Sequence, residues 1–190
     1  MCEDSYRHKG MRRQLVDLLR TKGITDQQVL AAVNQVPRHC FFEKAFLEHA
    51  YQDKAFPIGH KQTISQPYTV AFQTMLLGLQ PGARILEIGT GSGYQAAILS
   101  QMGVTVYTIE YLKPLHEKAK YLLTQLGYNN LKFFHGDGSL GLTKYAPFDG
   151  IVVTAGAPTV PKALVSQLKD ESRGSISPSR LIMAGQSTSR

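Results

Sequence analysis

With 190 residues, 43% of them hydrophobic and 18% charged, the chain has room for one domain with a full core but not for two ample ones. That balance excludes disorder of the whole chain, and no apolar run approaches the ~20 residues of a membrane helix. The formal charge of +7 implies a basic surface that draws anionic partners. No block of Lys and Arg, and no interleaving of Arg with aromatics, singles out nucleic acid.

Much of the positive charge sits near the start, in Arg7, Lys9, Arg12 and Arg13. The first ten residues are polar and lack the apolar core of a signal peptide, so the expected location is the cytoplasm. Cys2 and Cys40 have neither metal-ligand spacing nor a disulfide framework, and both are expected as free thiols.

In chain order, Met11 to Lys22 carries Leu15, Leu18 and Leu19 on one helical stripe. A second helix is expected from Asp26, an N-cap residue, through Val33, with Pro37 ending it. Residues 38–66 lose periodicity and read as a long ordered loop with one short helix. Pro67 then suits the first turn of a helix running to about Leu79, with Ser65 or Gln66 at its mouth.

After Pro81-Gly82 strands and helices alternate. Strands are expected at 84–88, 104–109, 131–134 and 148–153, with helices at 95–101, 115–126 and 161–168. Repeated β-α units of this size imply an α/β fold, a doubly wound and mostly parallel sheet with ligand at the carboxyl ends of its strands. From Asp170 the chain turns Ser-rich, and apart from the apolar patch Leu181-Ile-Met-Ala184 it shows no strand pattern.

The chemistry concentrates in Glu87-Ile-Gly89-Thr-Gly91-Ser-Gly93, between a strand and a helix. Glycines there let the chain turn sharply and let a ligand approach the backbone. Read from Gly89, the dinucleotide fingerprint fails at Tyr94; read from Gly91, its looser form ending in Ala96 fits. The full acid-x-Gly-x-Gly-x-Gly form resembles the first motif of class I methyltransferases. Glu110, ending the next strand, stands where an acid reaches ribose hydroxyls, a feature that nicotinamide and methyl-donor cofactors share. Asp137, between Gly136 and Gly138, is positioned to meet an adenine amino group. Together these elements favour S-adenosylmethionine.

The segment after the fourth strand narrows the choice of acceptor. Thr154-Ala-Gly-Ala-Pro158 stands where amino-methylating enzymes usually carry Asn/Asp-Pro-Pro-Tyr/Phe, which disfavours that class. No His or Asp near the motifs is an obvious general base. A carboxylate acceptor needs none, since an α-carboxyl of pKa about 3.3–3.7 is ionised at neutral pH.

The most specific residues precede the glycines. Val36-Pro-Arg38 with Phe41, Tyr51-Gln-Asp53, Phe56-Pro-Ile-Gly59, Gln62-Thr-Ile-Ser-Gln-Pro67 and Val70-Ala71 resemble the signature of the protein-L-isoaspartate (D-aspartate) O-methyltransferases. Ile85 to Ala97 and Phe148 to Thr154 match the same family, and the resemblance spans roughly residues 4–169. It implies a repair enzyme moving a methyl group from S-adenosylmethionine to the free α-carboxylate of L-isoaspartyl and D-aspartyl residues in aged proteins. It implies Ser65 as the catalytic residue, with Ile64, Gln66 and Thr154 as substrate contacts. The donor falls to Glu87, Gly89, Gly91, Gly93, Glu110, Asp137 and Gly138. No metal, membrane or specific nucleic acid is implied, and a monomer is expected.

The organisation expected is an N-terminal layer of helices and active-site loop over 1–80, a donor-binding core over 81–169, and an atypical tail over 170–190. Family members continue past Gln167-Leu-Lys169 into further strands, so this chain is expected to lack the last strands of its sheet. Other acceptors of the same donor, nucleic acid among them, and an inactive truncated family member are the alternative readings.

Overall fold

Ser5 opens the first helix by accepting the His8 N–H, while His8 Nδ1 accepts the Ser5 N–H in return. This box starts α1 at Tyr6, ahead of its apolar stripe, and the helix runs Tyr6–Thr21. The computed structural model describes residues 2–155, 161–169 and 181–183. Asp26 caps α2 (Gln27–Gln35) by accepting the Gln28 and Val29 N–H groups, as the sequence suggests.

The start of the chain differs from expectation in two ways. Arg12 is only 4% exposed, so it adds nothing to a basic surface: Asp4 takes its guanidinium at 2.9 Å, the Asn34 carbonyl accepts from Nε and the Tyr51 hydroxyl from Nη1. Cys2 and Cys40 are joined in a disulfide, which corrects the expectation of free thiols. Spacing gave no hint of it, because a 38-residue separation brings two cysteines together only through the fold.

The expected long loop is largely structured. It contains two 3-10 turns, Arg38–Phe41 and Lys44–His49, then an antiparallel hairpin of β1 (Phe56–Gly59) and β2 (Gln62–Ile64). Short turns and three- or four-residue strands carry too little periodicity to register in sequence. Pro67 begins α3 (Pro67–Leu76), and its N-cap, Gln66, makes no side-chain cap. Asp53 supplies that bond from a distance by accepting the Tyr68 N–H at 2.8 Å.

The sheet then builds as β3 (Arg84–Ile88), α4 (Tyr94–Gln101), β4 (Thr105–Glu110), α5 (Lys113–Gln125), β5 (Leu131–His135) and β6 (Gly150–Val153). The short α6 (Lys162–Val165) and β7 (Leu181–Met183) complete it. All neighbours pair in parallel in the order β5-β4-β3-β6-β7. The apolar patch of the tail supplies a strand: Leu181–Met183 lies beside Ile151–Val153.

Strand alternation sorts the core into two faces. Ile85, Val106 and Val152 join a cluster with Leu15, Leu19, Val29 and Ile98 of the helices. Leu86, Ile88, Tyr107, Ile109, Ile151, Val153 and Met183 fill the opposite face with Leu164. The N-terminal helices thus share one core with the sheet. Glu87 and Thr108 sit side by side in the β3–β4 register, wholly buried within the sheet.

Candidate active site

The loop after β3 and the hairpin before α3 meet at a cavity of about 260 Å³ at the carboxyl end of the sheet. Ser65, Gln62 and Thr63 line one side, and Gly89 to Ser92, Tyr94, Gln95, Glu110 and Thr154 line the other. A second cavity of about 210 Å³ shares Gly89, Glu110 and Tyr111 with it and continues past Ile88, Ile109, Asp137, Gly138 and Leu164. The two make one cleft with a polar lobe at Ser65 and a mainly aliphatic lobe ending at Asp137. This is where a parallel sheet of this type takes its ligands.

The glycines divide the work. Gly89 sits at φ +95°, and a Cβ there would come within 3.0 Å of the Ala155 nitrogen and Thr154 Oγ1, so the loop tolerates no side chain. A Cβ at Gly138 would lie 2.5 Å from Ile88 Cγ2. Gly91 lines the polar lobe and donates its N–H to Glu110 Oε2 at 2.8 Å. Gly93 is not a wall of the cleft; a Cβ on it would meet Leu123 Cδ1 at 2.7 Å, so it lets α4 pack on α5.

Glu87 is likewise away from the cleft. Its Oε2 accepts the Thr108 hydroxyl at 2.6 Å, and Thr108 Oγ1 in turn lies 2.6 Å from Thr90 Oγ1 in the loop. Burial raises its pKa to about 8, the Thr108 bond opposing and Glu110 adding to the rise. Glu87 thus reaches the loop through two threonines rather than touching a ligand directly. Glu110 does border both lobes, with its two oxygens on the Gly91 and Leu112 N–H groups and lone pairs to spare.

Of the expected acceptor residues, Ser65 and Thr154 reach the cavity. The Ser65 hydroxyl has no hydrogen-bond partner among the described residues, and its carbonyl accepts Arg38 Nη2 at 2.9 Å. The Ser65 hydroxyl accepts no N–H of α3; the side-chain cap bond there is made by Asp53 on the Tyr68 N–H. Thr154 Oγ1 donates to the Ile88 and Gly89 carbonyls and so pins the loop. Ile64 is buried at 2% exposure and anchors the hairpin. Gln66 turns away, donating to Asp53 Oδ2 at 3.0 Å.

Three residues with evident roles were not singled out in sequence. Asp53 holds Lys22, Gln66 and the Tyr68 N–H; burial pushes its carboxyl up, but these three bonds bring it below the usual carboxylate range. Arg38 is wholly buried beneath Ser65. Tyr94 lines the cavity from the first turn of α4. Asp53 and Arg38 lie in the quoted motifs, but only their partners reveal what they do. Among the described residues, Cys2–His39–Cys40 and Asp4–His8–His39 are groupings close enough to hold a metal. In the first the sulfurs are bonded to each other, and in the second Arg12 occupies Asp4.

A profile of the family described as protein-L-isoaspartate(D-aspartate) O-methyltransferase matches residues 10–177. A protein-L-isoaspartate O-methyltransferase of Cytophaga hutchinsonii is 64% identical over 167 residues, 88% of this chain and 75% of that protein. One of Christiangramia forsetii is 55% identical over 167 residues, covering 88% and 78%. A solved structure of a protein-L-isoaspartate O-methyltransferase superposes with a TM-score of 0.76 at 34% identity, over 83% of this chain and 52% of its own. One from Plasmodium falciparum, bound to S-adenosyl-L-homocysteine, shares the fold with a TM-score of 0.72 at 23% identity, over 93% and 85%. The chain belongs to the protein-L-isoaspartate(D-aspartate) O-methyltransferase family.

Proposed function

We propose that this protein methylates the free α-carboxylate of L-isoaspartyl and D-aspartyl residues in aged proteins, with S-adenosylmethionine as donor. The observation that carries the reading is the shared cavity: the unpartnered hydroxyl of Ser65 and the Gly89–Ser92 loop line one space. The cleft fits a nucleoside-bearing donor. Gly89 and Gly138 present bare backbone to its wall, Glu110 offers acceptor lone pairs to ribose hydroxyls, and Asp137 stands at the end of the aliphatic lobe. When bound, the donor supplies a methyl group on an electrophilic sulfonium.

The chain's own residues then have little proton work to do, because the acceptor carboxylate is already ionised. The Ser65 hydroxyl donates to that carboxylate and fixes its direction. Gln62 and Thr63 flank it and limit water, and Thr154 keeps the donor loop in place. Rate comes from alignment and exclusion of solvent rather than from a base. Gly93 and Glu87 shape the loop from behind.

We read residues 1–80 as the acceptor-holding layer, 81–169 as the donor module and, within the remaining tail, Leu181–Met183 as the edge of the sheet. We further propose a monomer in the cytoplasm that uses neither nucleic acid nor a membrane. The exposed large apolar residues, such as Tyr6, Leu47, Leu76 and Tyr121, are dispersed over separate elements, which supports the first point. No helix among the described residues is long and apolar enough to cross a membrane. Labelled methyl transfer to an isoaspartyl peptide, with the matching aspartyl peptide and RNA as parallel acceptors, tests the proposal. Label on RNA, or equal label on both peptides, would sink it.

A further inference from the structure

Arg38 is 0% exposed and forms no ion pair among the described residues, although burying an unpaired cation is strongly disfavoured. Two of its three nitrogens instead bond carbonyls from three places in the chain, while Nη1 is buried with no partner among the described residues. Nε donates to Ala50 at 2.9 Å, and Nη2 donates to Ser65 at 2.9 Å and to Lys54 at 3.5 Å. The guanidinium also lies over the Tyr94 ring, 4.4 Å from its centre. Tyr94 begins α4, directly after the glycine loop, and lines the cavity opposite Ser65. One buried group therefore touches both sides of the cleft from beneath.

We propose that Arg38 is a positioning residue for the methyl transfer, setting the Ser65 hydroxyl relative to the donor loop. The inference rests on the function proposed above. Ser65 lies between two anchors: Arg38 holds its carbonyl, and Asp53 holds the next residues through Gln66 and the Tyr68 N–H. With its carbonyl fixed, its side chain is left to face the acceptor. A lysine could carry the charge but not the flat fork that bonds carbonyls on one edge and stacks on a ring with its face.

A double-mutant cycle separates positioning from mere support of the fold. Arg38→Lys, Ser65→Ala and the double variant, each shown folded by circular dichroism, are assayed on isoaspartyl peptide at saturating donor. S-adenosylhomocysteine binding is measured by calorimetry on the same samples. Arg38→Lys should lower kcat by roughly 30–100-fold, the scale of a small misplacement of a reacting group. Its donor Kd should stay within about 3-fold, and in the Ser65→Ala background it should cost less than about 3-fold more. Equal losses with and without the Ser65 hydroxyl overturn the inference. A wild-type protein that binds donor but methylates no isoaspartyl peptide sinks the functional reading itself, and the inference with it. Should Arg38→Lys fail to fold, Tyr94→Leu, which removes the ring beneath the guanidinium, takes its place in the cycle; additivity there is equally fatal.

Discussion

Glu110 and Gly91 close the donor loop against the neighbouring strand, the carboxylate Oε2 accepting the glycine N–H at 2.8 Å while Oε1 accepts the Leu112 N–H at 2.9 Å. The acid thus shapes the loop from which it would also reach ribose hydroxyls. Glu110→Ala should weaken S-adenosylhomocysteine binding by roughly 10–100-fold, equivalent to ~1.4–2.8 kcal/mol. Glu110→Gln should lose less, because its amide carbonyl still accepts one N–H. Unchanged affinity in a folded alanine variant would leave Glu110 as a strand-end acid with no part in binding.

Glu87 should make stability depend on pH. Burial holds its carboxyl at about 8 in the folded protein against 4.5 without burial, so over that window the folded state carries a proton the unfolded state has lost. The contribution is fully present below pH 4.5 and is lost as pH rises through 8, at most about 1.4 kcal/mol per pH unit between those limits. Glu87→Gln is neutral throughout and should escape the loss. The melting temperature of the variant should gain on the wild type from pH 5 to pH 9. A constant difference across that range would mean that Glu87 is ionised within the fold.

The disulfide ties Cys2 to the turn that carries Arg38, across a separation of 38 residues. Closing a loop of that length is worth up to about 4 kcal/mol, so reduction should lower the melting temperature by roughly 5–15 °C. Cys40→Ser should melt like the reduced wild type and should not respond to reductant. If both cysteines alkylate without reductant and dithiothreitol leaves the melting point alone, the bond does not form.

Legibility in the sequence followed periodicity and spacing. The β-α alternation after Pro81 and the Asp26 cap could be read directly, because buried parallel strands and capped helices leave continuous local patterns. The 56–64 hairpin could not, since its strands of four and three residues span at most two alternations. The glycine motif located the cleft but not the division of labour within it. Gly93 looks identical to Gly89 in sequence, and only Leu123 at its back shows that it serves packing. Asp53 and Arg38 act through backbone groups distant in the chain, and no spacing rule reaches those.

The tail gives the last prediction, because β7 is the part of the sheet least expected from sequence. Leu181, Ile182 and Met183 stand in register beside Ile151, Val152 and Val153. Met183 is 7% exposed in the cluster that contains Ile88 and Ile109, while Ile182 packs on the opposite face. The strand therefore covers an edge that would otherwise bare unpaired N–H and C=O groups. The edge also matters to the cleft, since β6 runs straight into Thr154 and Ala155, whose N–H groups both donate to the Ile88 carbonyl. Truncating a buried side chain of this size costs about 2–5 kcal/mol, so Met183→Ala should lower the melting temperature by roughly 4–15 °C. Met183→Asp, which puts a carboxylate into that buried cluster, should lower it further and weaken S-adenosylhomocysteine binding as the Thr154 hinge loosens. The control is a chain ending at Lys169. If that shorter protein melts and binds like the full one, Leu181–Met183 adds nothing to the sheet and the edge is stable without it.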